Sequence, residues 1–144
     1  MIDLSTLKVG DPLPAFTTEP ISRHTLALYC GASGDHNPIH VDSDFAKQSG
    51  MPDVFAHGML SMAYLARLLT HWAPQQALRS YGVRFVAITH LAERITCSGK
   101  VVDILEEGGE TRARIELATT NQDGQTKLAG NAVVALSAAN RQSA

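Results

Sequence analysis

The stretch from Gly58 to Trp72 limits what this chain can fold into. Met59, Leu60, Met62, Ala63, Leu65, Ala66, Leu68, Leu69 and Trp72 cover far more than one stripe of a helix, and a helix this apolar must be enclosed on most sides. Ser61, Tyr64, Arg67, Thr70 and His71 interrupt it; at about 100 degrees per residue all but Thr70 fall in a sector of roughly 120 degrees. The enclosing material follows in the chain. Tyr81 to Ile88, Arg94 to Leu105, Thr111 to Asn121 and Lys127 to Ser137 alternate with the period of two of half-buried strands. Glu107-Gly108-Gly109 and Asp123-Gly124 between them are hairpin signals. One buried helix followed by an antiparallel meander implies an α+β fold, a sheet wrapped around a helix.

Upstream, Gly10-Asp11-Pro12 and Pro14 mark a turn into a short extended segment around Phe16 to Glu19, which proline confines to an edge or an entry. Ser22 is placed to cap a helix carrying Leu26, Ala27, Tyr29 and Cys30, with Gly31 as its C-terminal stop. Asp42 can cap a further short helix to Ser49, and Gly50-Met51-Pro52-Asp53 is a turn that delivers the chain to His57. The length of 144 residues suits one domain over 1–144, with 139–144 as a polar, frayed tail.

The chemistry concentrates in Gly34-Asp35-His36-Asn37-Pro38-Ile39-His40 and in Ala56-His57-Gly58-Met59. Pro38 disfavours the α region for Asn37, so the backbone between Asp35 and His40 turns and can aim both side chains at one point. A carboxylate and an imidazole meeting on one water form a general acid/base pair. Taken alone, an aspartate capping a turn and an ordinary histidine explain the same residues. Asn37 is expected to bond the loop backbone and hold the pair in place. Gly58 opens the apolar helix, where the first N–H groups lack intrahelical partners and the dipole is positive, so its N–H suits an oxyanion. For His57 only this following N–H is assigned a role, since its ring can equally pack away from the site.

These two motifs in register resemble the MaoC-like family of (R)-specific enoyl-CoA hydratases and 3-hydroxyacyl thioester dehydratases. The likeness runs from Gly10-Asp11 through the late strands. It implies the hotdog fold, Asp35 and His40 as catalytic pair, Gly58 N–H as oxyanion donor, and an acyl-CoA or acyl carrier protein thioester as substrate, with no metal or redox cofactor. A homodimer is implied, or a heterodimer with a homologous non-catalytic subunit. After Phe85 the chain departs from the pattern: many relatives carry a proline and then Gly-Asp, where this one has Ile88-Thr89-His90 and Ala92-Glu93. A thioesterase on the same fold and a non-catalytic acyl-thioester-binding subunit are the alternatives; retention of both Asp35 and His40 argues against each.

Other classes find little support. Lys and Arg number 12 against 14 acids, for a net charge of -2, which gives no general field for nucleic acid. Arg67, Arg79, Arg84, Arg94, Lys100, Arg112 and Arg114 could supply cations for a phosphopantetheine carrier, though most are expected on a solvated strand face. Gly108-Gly109 is not a phosphate cradle before a helix. Asp35, His36 and His40 could be read as metal ligands, but Pro38 breaks the helical spacing of a zinc pair and no further ligand is identifiable. Cys30 and Cys97 lack Cys-x-x-Cys spacing. No apolar run approaches the roughly 20 residues that span a bilayer, and a reducing cytoplasm is the expected location.

Overall fold

In the computed structural model, which describes residues 6–136, the alternating segments form one 5-stranded antiparallel sheet in the order β1-β3-β4-β5-β2. The strands are β1 (Phe16–Thr17), β2 (Leu78–Phe85), β3 (Thr96–Glu107), β4 (Glu110–Thr120) and β5 (Thr126–Ala135). Before β2 come the helices α1 (Arg23–Ser33), α2 (Ser43–Gln48) and α3 (Gly58–Trp72). The hairpin between β3 and β4 turns at Gly108-Gly109, and β1 sits at the sheet edge, paired through Phe16 and Thr17 with Cys97 and Thr96. Both placements match their turn and proline signals.

Alternate residues of β4, namely Ala113, Ile115 and Leu117, are buried together with Leu60, Leu65, Leu68, Leu69 and Trp72 of α3. Each such leucine contributes roughly 1.5–3 kcal/mol by leaving water. The sheet covers α3 on one side only, so enclosure within the chain is less complete than its composition predicts: Met59 is 55% exposed, and Ala63, Arg67 and Thr70 also face outward. Ser61, expected among the polar sector, is buried and donates toward Thr89 Oγ1 at 3.4 Å. β2 stops at Phe85 because the N–H groups of Val86 and Ala87 both turn to Lys127 O, at 2.9 and 3.2 Å.

Ser22 Oγ accepts from Thr25 N–H and caps α1 as expected. The helix does not stop at Gly31; it runs on to Ser33 and ends at Gly34, which takes φ 74 and donates its N–H to Cys30 O. That left-handed stop suits glycine, whereas Gly31 lies inside the helix, one turn before its end. Asp42 caps α2 through the N–H groups of Asp44 and Phe45.

The segment after Phe85 contains a local conflict. Ala92 has φ 66, the single non-glycine at positive φ among the described residues, and its N–H is held by Ile21 O at 2.8 Å. A left-handed L-residue costs about 1–2 kcal/mol, partly offset by the smaller unfolded-state entropy of alanine. Ala92→Gly is therefore expected to stabilise the fold by about 0.5–1 kcal/mol, read as a rise in denaturant midpoint at unchanged slope. A fall in midpoint would show that this turn carries no strain.

Among the described residues no helix is long and apolar enough to cross a membrane. The tail expected over 139–144 lies outside the described residues.

Candidate active site

The left-handed exit at Gly34 throws the chain off α1 into a run of short polar turns. Ser33 Oγ donates to Tyr29 O at 2.7 Å and accepts the N–H of Asp35 at 3.1 Å. Asp35 Oδ1 accepts from Asn37 N–H at 3.2 Å, and Asn37 Oδ1 accepts from Ile39 N–H at 3.1 Å. Side chains thus replace the missing helix bonds, and Asn37 does bond the loop backbone. A 3-10 turn over Pro38–His40 then carries His40 inward to 7% exposure, while Asp35 stays exposed.

His40 Nδ1 lies 2.7 Å from Phe55 O. A carbonyl can only accept, so Nδ1 carries the proton of the neutral ring and Nε2 is left with the lone pair. Phe55 is held by its bridge to His90 and by the bond from Ala56 N–H to Thr89 O at 2.9 Å. The preceding turn is fastened by Asp53, whose carboxylate takes the Ser43 hydroxyl at 2.8 Å and the Arg23 guanidinium; the Ser43 bond is the first of the interactions that hold it below the usual carboxylate range.

Asp35, His40 and His57 each offer a ligand-type atom, all within 4.8 Å of one another. One water making two hydrogen bonds of about 2.8 Å can bridge such a gap. His36, the third member of the alternative metal set, is exposed and outside this cluster; His57 takes its place. Ligands of a tetrahedral zinc at about 2.0–2.1 Å sit closer together than this spread.

The His57 ring is the residue that sequence reasoning missed. It is 1% exposed and stacks on His40 with centroids 3.8 Å apart and planes 25° apart. Burial, and secondarily the neighbouring His40, pushes its pKa down. Its backbone is the N-cap of α3 without a side-chain capping bond, so Gly58 begins the helix beside the paired rings. A Cβ at Gly58 would lie 2.8 Å from Phe85 Cε1 and 3.0 Å from Cδ1. Phe85, itself 53% exposed, therefore leans over the helix start; only a residue without a side chain admits that approach. Of the candidate phosphate-binding cations, Arg79, Arg94 and Arg112 are paired with Glu110, Glu19 and Glu107 respectively.

A model of the MaoC like domain matches residues 6–123. The chain belongs to the MaoC-like family. It is similar to R-hydratase PhaJ1 from Pseudomonas aeruginosa, unliganded, at TM-score 0.81 and 27% identity over 93% of this chain and 85% of that one, and its five-stranded antiparallel sheet with few helices is the hotdog fold of such neighbours. It is similar to 3-hydroxyacyl-thioester dehydratase Z of Mycobacterium tuberculosis, 28% identical over 115 residues, 76% of each chain. Fatty acid synthase subunit beta of Saccharomyces cerevisiae matches at 29% identity over 131 residues, 89% of this chain; the chain spans 6% of that subunit's length.

Proposed function

We propose that this MaoC-like chain catalyses the reversible hydration of trans-2-enoyl thioesters of coenzyme A or acyl carrier protein to (R)-3-hydroxyacyl thioesters. The observation that carries the reading is the convergence of Asp35 and His40 within 4.8 Å beside the start of α3, with His40 Nδ1 tied to Phe55 O. The names of the hydratase and dehydratase relatives support the reaction class.

In the hydration direction the Asp35 carboxylate and the bare Nε2 of His40 hold one water. Its oxygen adds to C3 as the pair takes a proton, negative charge moves onto the thioester oxygen, and the N–H of Gly58 stabilises it there. The proton then goes to C2, so the water is consumed as OH at C3 and H at C2. Dehydration runs these steps backwards.

A second copy of the chain is proposed to complete the acyl channel. Phe85, Val86, Ile88 and Met59 are exposed, Phe85 lies against the start of α3, and β2 ends the sheet. A homodimer is the simplest assembly that covers them; a homologous non-catalytic partner is the alternative.

The test is a steady-state screen of enoyl-CoA and enoyl-carrier-protein thioesters of graded length, with a chelator present, reading loss of the conjugated absorbance. Hydration without thiol release supports the proposal. Thiol release without hydration points to a thioesterase, and binding of an unchanged ligand to a non-catalytic subunit.

The oxyanion role makes its own prediction. Gly58→Ala forces either the Phe85 ring or the incoming thioester aside, and the ring can swing toward solvent at little cost in stability. Turnover is expected to fall by roughly 10²-fold, the scale of a lost oxyanion donor, with a small change in thermal midpoint. A protein that melts early yet turns over normally per folded molecule would leave Gly58 a packing residue only.

A further inference from the structure

His57 carries a buried polar feature that the hydration mechanism does not use. Its Nε2 is 3.3 Å from the carbonyl oxygen of Asp35 and 3.4 Å from Cys30 Sγ. The carbonyl only accepts, so the ring proton belongs on Nε2 and Nδ1 keeps a lone pair. That Nδ1 is buried with no hydrogen-bond partner among the described residues. His40 faces the ring in the stack and Tyr29 meets it edge-on, with centroids 4.8 Å apart and planes at 69°. Asp35 and Cys30 complete the titratable groups around it. A second ring proton would stand at Nδ1 in a dry site with no acceptor, which disfavours the imidazolium.

We infer that His57 is a positioning residue, a neutral imidazole whose face holds the His40 ring and whose Nε2–H holds the Asp35 carbonyl, so that one side chain orients both members of the acid/base pair. The inference rests on the proposed roles of Asp35 and His40. The bond from His40 Nδ1 to Phe55 O and the edge contact with the Phe55 ring, centroids 5.1 Å apart, hold one side of that ring and leave its face to be set. The stack with His57 covers that face and sets the direction of Nε2. Asp35 stands on an exposed loop of short turns, and the bond to its carbonyl ties that loop to a buried anchor. A purely space-filling role is poorly served by this ring: a hydrocarbon ring would fill the site without leaving Nδ1 unpartnered.

The test compares His57→Ala, His57→Phe and His57→Asn in the hydration assay, with turnover expressed per folded molecule. Phenylalanine keeps a stacking face and loses the N–H; asparagine keeps a donor and loses the ring. His57→Ala is expected to lower kcat by about 100-fold, the scale of a roughly 1 Å misplacement, with KM within about threefold. Each of the other two is expected to recover about tenfold of that loss. If His57→Ala does not fold, the phenylalanine and asparagine variants carry the test, each expected about tenfold below the parent in kcat. Values of kcat within threefold of the parent in every folded variant overturn the inference, as does a rise in KM matching the fall in kcat. The His40→Ala variant separates the two readings. Normal turnover there removes the acid/base pair itself, whereas an inactive His40→Ala beside normal His57 variants removes only the positioning role. In ¹⁵N spectra at pH 7, His57 is expected neutral with its proton on Nε2; an Nδ1–H tautomer or an imidazolium overturns the assignment.

Discussion

Asp35→Asn and His40→Ala are each expected to slow turnover by about two to four powers of ten, the range for a general acid/base group, equivalent to roughly 3–5 kcal/mol of barrier. The two variants differ in how cleanly they report chemistry. Asp35 is exposed, and its Oδ1 accepts the N–H of Asn37; an asparagine carbonyl accepts the same bond, so the loop is preserved and only charge and basicity are lost. His40 is 7% exposed and bonds Phe55 O, so alanine also leaves a half-buried acceptor without its partner, at about 1 kcal/mol of stability. His40→Gln, which can still donate to Phe55 O, separates the two effects. Affinity for a substrate analogue should survive in all three, because the pair is proposed to act on the reacting water. Near-normal kcat in folded Asp35→Asn would end the acid/base assignment for that residue.

What the sequence displays and what it conceals follow from the range of the interactions. The strands and α3 are legible because burial imposes a period on neighbouring residues: Ala113, Ile115 and Leu117 alternate inward along β4, and no distant information is needed to see it. Caps are also local, which is why Ser22 and Asp42 can be read directly. The stop expected at Gly31 falls instead at Gly34, three residues on, where the left-handed turn and the bonds of Ser33 Oγ to Tyr29 O and Asp35 N–H close the helix. The orientation of the His57 ring is tertiary. Its partners Cys30 and Asp35 lie 27 and 22 residues upstream, so nothing adjacent to His57 distinguishes a ring turned into the site from one packed away. The motif marked the Gly58 N–H and passed over the side chain next to it.

Lys127 and Glu93 form the other concealed feature, and removing one of them alone is expected to destabilise the fold by about 3–5 kcal/mol. Lys127 is 1% exposed and Glu93 8%. The lysine ammonium donates to Ile88 O at 2.7 Å and Glu93 Oε1 at 3.1 Å; Oε2 is 3.0 Å away but outside hydrogen-bond geometry, so that contact is Coulombic. Burial pushes the Glu93 carboxyl up, yet the N–H of His90, then Lys127 and Asn121, outweigh it and hold the group below its ordinary value. Its stabilising effect is thus present above the ordinary carboxylate pKa near 4.5 and is lost as pH falls through the lower folded value. Lys127→Met leaves a buried carboxylate without its cation, and Glu93→Gln leaves a buried ammonium without its anion; each should lower the thermal midpoint by roughly 10 °C or more. Lys127→Met with Glu93→Gln removes both charges while keeping an acceptor for His90 N–H, and should return to within about 2 kcal/mol of the parent. Two single losses that simply add in the double variant would show that the charges do not stabilise one another. Activity should follow Lys127 rather than stability here, because Lys127 holds Ile88, the next residue Thr89 receives the Ala56 N–H, and Phe55 before it receives His40 Nδ1. Lys127→Met and the double variant both lose that anchor and, folded in the cold, are each expected to turn over more slowly than the parent, whereas Glu93→Gln keeps it.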